Sequence, residues 1–221
     1  MPKPKLNKPI HQLIIFMFVA MLVTLSYHFV DRELAAIAFK LLIKNKLATK
    51  YTSDIPDILL LLVCAISITA FTVYRFRKNR YGFDVQARFY QLLTYALPAS
   101  FILKTVMKQI FGQVTTREWL LNPRLYGFHW FHGGGRFDGF PSGHMAVFAT
   151  LTAVLWRFYP RYRHAYSAFL ALLAVALLAT DYHFLSDVIA GAYLGVVVAW
   201  VTQKMLGLLY EPKPGRVDNK I

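Results

Sequence analysis

Phe140-Pro141-Ser142-Gly143-His144 opens an apolar run that continues from Met145 to Trp156. A polar, glycine-rich loop precedes it, His132-Gly133-Gly134-Gly135-Arg136. Ser142 is a capping residue type and Pro141 is tolerated in a first helical turn, so a helix starts here. Gly143 lets an anion approach the backbone closely. The free N–H groups of a helix start, together with the helix dipole, make an anion site. His144 at that mouth can give or take a proton near neutral pH. The same five residues also read as a capped helix with an incidental histidine.

Working outward, apolar blocks dominate the chain. Of 221 residues, 57% are hydrophobic and 16% charged, and the formal net charge is +14. In a soluble protein that charge would point to nucleic acid. Between long apolar blocks it fits cytoplasmic loops and anionic lipid headgroups, and no nucleic-acid partner is expected. Cys64, the single cysteine, lies inside an apolar run, so no disulfide or cysteine-based metal site is available within the chain.

Met1 to Lys8 is basic and Pro-rich, and Ile10 to Val30 is apolar and long enough to span a bilayer. A cleavable leader is the rival reading, with Ala36-Ile37-Ala38 as the mimic of a cleavage site. The run exceeds a usual leader core, which favours an uncleaved anchor. Asp31 to Lys46 has apolar residues at helical spacing (Leu34, Ile37, Ala38, Leu41, Leu42), with Lys40, Lys44 and Lys46 among them. It reads as an amphipathic helix at the membrane surface, or as an extramembrane helix packed on the spans.

Asp57 precedes a second span, Ile58 to Tyr74, which the basic cluster Arg75–Arg80 stops. A third runs from Phe89 to Gln109 with Pro98 as a kink, and carries Lys104 and Lys108 on one face of its last turns. A fourth runs from Ser142 to Phe158, a fifth from Tyr166 to Thr180, and a sixth from Val188 to Leu209. The expected architecture is an all-α membrane bundle of about six spans, forming one domain over residues 1–221, with cytoplasmic tails at 1–9 and 211–221. With Arg75–Arg80 placed inside, the Arg157–Arg163 loop falls inside as well. Lys108, the Ser142-Gly143-His144 turn and His183 then reach one membrane depth at the outer face, which suggests a shared site.

His183 and Asp187 stand four apart at the start of an apolar helix, one turn apart on one face. A carboxylate beside imidazole fixes its tautomer and favours imidazolium. A helix-capping cluster with Ser186 is the plain alternative.

Together, Pro141-Ser142-Gly143-His144 and the later His183-x-x-x-Asp187 resemble the type 2 phosphatidic acid phosphatase (PAP2) superfamily. The resemblance covers Lys108 to Gly195, where Ala190-Gly191-Ala192-Tyr193-Leu194-Gly195 is also similar. It implies His183 as nucleophile, Asp187 as its orienting carboxylate and His144 as general acid. It further implies that Lys108, Ser142 and the Gly143 N–H bind phosphate oxygens. It implies a lipid phosphate as substrate, a metal-independent reaction and no cofactor.

Two departures stand out. The family's first motif has Arg-Pro seven and eight residues after its lysine, where this chain has Thr115 and Thr116. Its third motif has Ser-Arg seven and six residues before the histidine, where this chain has Ala176 and Leu177. Two phosphate-binding arginines are therefore absent from their usual places. Arg136, near Ser142 in sequence, is the first substitute expected; Arg117 is the next, and Arg124 lies in the same loop. Trp119, Phe128, Trp130 and Phe131 read as an interfacial aromatic belt, with a grip on a lipid tail as the alternative. His129 and His132 read as loop histidines, Gly133–Gly135 as a hinge or flexible turn, and Asp138 and Asp181 as possible tuners of the histidines.

The function expected is hydrolysis of a lipid phosphate monoester or pyrophosphate through phospho-histidine, at the outer face of a bacterial inner membrane. A phosphotransferase using the same first half-reaction, and a catalytically weakened binder of anionic lipid, are the alternatives. A transporter is disfavoured because the span middles hold little that could line a path.

Overall fold

The structure, a computed structural model, describes residues 8–42 and 55–207. The flanking tails, Lys44 and Lys46 lie outside the described residues. The described elements are helical: α1 (Lys8–Leu25), a π-helical turn (Ser26–Val30), α2 (Asp31–Leu42), α3 (Ile55–Tyr81), α4 (Val85–Phe111), α5 (Thr116–Leu121), α6 (Gly143–Phe158), α7 (Arg163–Ala179) and α8 (Leu185–Met205). Four helical stretches are long and apolar enough to cross a membrane: Pro9–Leu41, Ile58–Tyr81, Pro160–Ala179 and Leu185–Met205. Their apolar side chains face outward; Leu61, Ile68, Leu172 and Val175 are all exposed. That inversion of the soluble pattern suits a lipid surround.

α4 and α6 form the protected centre. α4 packs Phe89, Leu92, Leu93, Ala96 and Leu97 against Leu59, Val63 and Ala70 of α3, with Val147 and Val154 of α6 and Ala199 of α8 completing the cluster. α6 and α8 meet along their backbones. A Cβ at Gly195 would lie 2.3 Å from the Ala146 carbonyl oxygen, and one at Gly191 2.5 Å from that of Ser142. Only glycine permits this approach. Thr150 Oγ1 crosses the seam to the Gly195 carbonyl at 3.1 Å.

The structure changes two boundaries read from sequence. The basic cluster at Arg75–Arg80 ends the apolar run but not the helix, because α3 continues to Tyr81. Lys and Arg are good helix formers; the break comes at Gly82, with φ +74°. Asp84 then caps α4 through the Ala87 N–H and pairs with Arg77. At the N-terminus, α1, the π turn and α2 are contiguous, so no break separates the first apolar run from the segment read as amphipathic. The first residues of α2 face protein: Asp31 and Ala35 are buried.

The two basic regions lie at one end of the bundle. Phe89, near the start of α4, stacks edge-on against Phe158 and Tyr159 at 5.4 and 5.3 Å. Lys108 lies about 28 Å further along α4, at the opposite end.

Candidate active site

Ser142 caps α6, its side chain accepting from the Met145 N–H at 3.4 Å. Pro141 precedes the cap rather than occupying the first turn, since the helix begins at Gly143. A Cβ on Gly143 would sit 3.1 Å from Lys104 Cδ and 3.5 Å from its Nζ, so the lysine lies across bare backbone at the helix start. His144 is buried, its ring edge-on to Tyr182 with centroids 5.5 Å apart. One backbone bond ties this turn to the His183–Asp187 cluster: the Ser142 N–H donates to the Asp187 carbonyl at 3.0 Å.

His183 Nδ1 lies 3.5 Å from Asp187 Oδ2, and both side chains are buried. The same Oδ2 accepts the Phe184 N–H at 2.9 Å, which fixes the carboxylate against the helix start. The His183 ring also hydrogen-bonds to the Gly139 backbone. Nδ1 has no such partner, so that bond belongs to Nε2. Complete burial, then the Lys108 charge, pushes the imidazole down to about 3. The resting histidine is therefore neutral. The spacing alone suggested imidazolium; burial outweighs a carboxylate at 3.5 Å.

Lys108, in the last turn of α4, donates to the Asp138 carbonyl at 2.7 Å and to Asp138 Oδ2 at 3.0 Å. Consecutive residues, Asp138 and Gly139, thus cover the lysine and the histidine. The loop that carries them is held tightly on α4. Gly112 ends the helix in the left-handed region (φ 55°), and a Cβ there would meet the His129 carbonyl oxygen at 2.1 Å. Gly133 lies over the last turn, where a Cβ would be 2.2 Å from the Lys108 carbonyl oxygen. It is a point of close contact rather than a loose turn.

The two candidate arginines differ in placement. Arg117 donates to the Thr180 carbonyl at 3.2 Å and lies over the Tyr182 ring at 5.3 Å. It also interacts with Asp181, whose carboxyl burial pushes up. This puts a guanidinium beside the residue preceding His183. Arg136 is exposed, and its backbone carbonyl accepts from the Thr115 N–H at 2.9 Å. Of the two, Arg117 is therefore the one placed beside the His183 turn. Lys104 and Tyr182 were not singled out as site residues. For Lys104 the signal was its spacing of one turn from Lys108; for Tyr182 it was adjacency to His183. Among the described residues, no three of His, Cys, Asp and Glu group as a metal-holding set.

Residues 89–209 match the sequence profile described as the PAP2 superfamily. The chain belongs to the PAP2 superfamily. Over 93 residues it is 32% identical to the lipid A 1-phosphatase of Rhizobium johnstonii, an alignment covering 41% of this chain and 38% of that protein. The lipid A 1-phosphatase of Rhizobium etli is 31% identical over 93 residues, covering 41% and 40%. The chain therefore spans about two fifths of the length of these curated relatives. No solved structure gives a significant match. Lys104, Lys108, Arg117, His144, His183 and Asp187 all fall within the PAP2-matched segment; Asp31 falls outside it.

Proposed function

We propose that this PAP2 protein is a membrane lipid phosphatase working through a phospho-histidine intermediate. The observation that carries it is the Ser142 N–H to Asp187 carbonyl bond, 3.0 Å, which joins the His144 helix start to the His183–Asp187 turn beside Lys108. In this reading the substrate phosphate displaces Asp138 and Gly139. The His183 proton moves to Nδ1, facing Asp187, and frees the Nε2 lone pair. Nε2 attacks phosphorus, the P–O bond to the lipid breaks, and His144 donates a proton to the departing oxygen. Water then attacks the phospho-histidine, giving its proton to His144, and the P–N bond breaks to release phosphate.

The phosphate charge is met by Lys108, by Lys104 across Gly143, and by the α6 helix start with Ser142 and Gly143. Arg117 takes the part of the missing arginine at position 177, and Arg136 guards the rim. The relatives are lipid A 1-phosphatases, which makes lipid A the first substrate to try. The chain is assigned about six spans with both termini cytoplasmic, α4 and α6 crossing inside the ring of apolar helices, and the site at the outer face of the bacterial inner membrane. Thr115 and Leu177 at the two arginine-bearing positions favour a second reading, a weakened member that binds anionic lipid without turnover.

The test is phosphate release by the purified protein from lipid A, phosphatidic acid, phosphatidylglycerol phosphate and undecaprenyl pyrophosphate, with chelator present and an acid quench. Turnover with a trapped phospho-histidine is expected. Binding without release on any substrate selects the second reading.

A further inference from the structure

The helix that follows the proposed nucleophile has an unusual start. Phe184 occupies the N-cap position of α8, and a phenyl ring offers no acceptor for the first amides. The missing acceptor comes from the start of α2. Asp31 Oδ1 accepts the Ser186 N–H at 3.0 Å across 155 residues of sequence, and Oδ2 accepts the Ser186 hydroxyl. Tyr126 adds its hydroxyl to Oδ2 at 3.4 Å and to the Tyr27 carbonyl at 2.6 Å, which anchors the π turn just before Asp31. The carboxylate is fully enclosed, with 1% of its surface accessible. Phe184 meanwhile wedges its ring between Trp119 and Tyr126, at 5.6 and 5.4 Å. Ser186 lies between His183 and Asp187, so whatever fixes it fixes the pair.

We infer that Asp31 is a positioning residue for His183 and Asp187, acting as the N-cap of α8 supplied from the start of α2. The inference rests on the phosphatase reading for its kinetic consequence, but its structural part stands without it. Asp31 sets the height and rotation of the α8 start, and thereby aims the His183 ring at the phosphate site. The N-terminal segment outside the PAP2-matched residues thus contributes to the reaction geometry.

The test compares the full-length wild type with Asp31→Ala, Asp31→Asn and Ser186→Ala. Asp31→Ala should lower kcat by about 10- to 100-fold with KM nearly unchanged, the usual scale for a displaced reacting group. Active sites are counted by the phosphoenzyme burst, so a mere loss of folded protein does not enter kcat. Asp31→Asn keeps an oxygen for the Ser186 N–H and should recover most of the rate. Amide exchange at residues 186–188 should accelerate in Asp31→Ala and Ser186→Ala, while exchange in α6 stays as in the wild type. Unchanged kcat per burst site, or unchanged exchange at 186–188, overturns the inference. If Asp31→Ala does not fold, Asp31→Asn and Ser186→Ala decide by the same exchange measurement. A wild type without turnover defeats the phosphatase reading alone, since the exchange result still judges the cap.

Discussion

Asp138 engages Lys108 twice, through its carbonyl at 2.7 Å and its carboxylate at 3.0 Å. A phosphate on Lys108 must displace an anion already in place. Gly139, the next residue, holds the His183 ring in the same way. The described state is therefore a closed one, with the loop standing where the phosphoryl group is proposed to bind.

Removing that competitor should favour phosphate. Asp138→Ala is expected to tighten vanadate inhibition by about fivefold, the scale of roughly 1 kcal/mol for a pair with one well-exposed partner. Asp138 is 43% exposed, which keeps the expectation modest. Vanadate binding that weakens instead would make Asp138 a part of the anion site.

Arg117 and Arg136 should separate on mutation. Arg117→Ala is expected to lower kcat/KM by about 10- to 100-fold, because a charge-assisted contact near developing charge is lost. Lys104→Ala should behave similarly. Arg136→Ala should stay within about twofold, as exposed cations usually do. Steady-state kinetics on one lipid phosphate checks all three; a large effect at Arg136 with none at Arg117 would return the role to the loop arginine.

The two histidines should differ in their response to the leaving group. His183→Ala should abolish the acid-trapped phosphoenzyme with every substrate. His144→Ala should lose about 10²–10⁴-fold on an alkyl phosphate, where a basic alkoxide must be protonated. On an aryl phosphate, whose phenolate leaves unaided, the loss should be far smaller. Equal sensitivity in both variants would reject the assigned roles.

His183 also gives a stability signature. Its folded value near 3 lies below the ordinary 6.5, so both states are neutral above pH 6.5 and the residue carries no penalty there. Below pH 6.5 the unfolded chain takes up a proton that the folded one refuses, and stability falls toward pH 3. The slope is at most about 1.4 kcal/mol per pH unit. His183→Asn should flatten the fall in unfolding temperature between pH 6.5 and 4.5. An identical acid limb in both proteins would mean that the wild-type imidazole is accessible to protons.

The apolar blocks made the helices legible, since burial in protein and burial in lipid select the same residues. Helix ends were less so. Arg75–Arg80 ends an apolar run without ending α3, because charge stops insertion while glycine stops a helix. Asp31-Arg32-Glu33 looked like the end of a span because the partner of Asp31 is Ser186, too distant in sequence to be foreseen. The His144 and His183–Asp187 clusters were readable from local spacing. Which arginine lies beside them was not, since the turn through Gly134 and Gly135, with φ of 112° and 56°, carries Arg136 outward. Helix α5, by contrast, brings Arg117 back to Tyr182.

The glycine seam between α6 and α8 has a consequence for how this protein meets different bilayers. Side chains between helices can change rotamer as lipid thickness or temperature changes, but Gly191 and Gly195 leave none to change. The distance from His144 to His183 is thus insulated from membrane composition. Adaptation to a thicker or more fluid membrane can proceed in α1, α3 and α7 while the spacing of the proposed acid and nucleophile stays constant.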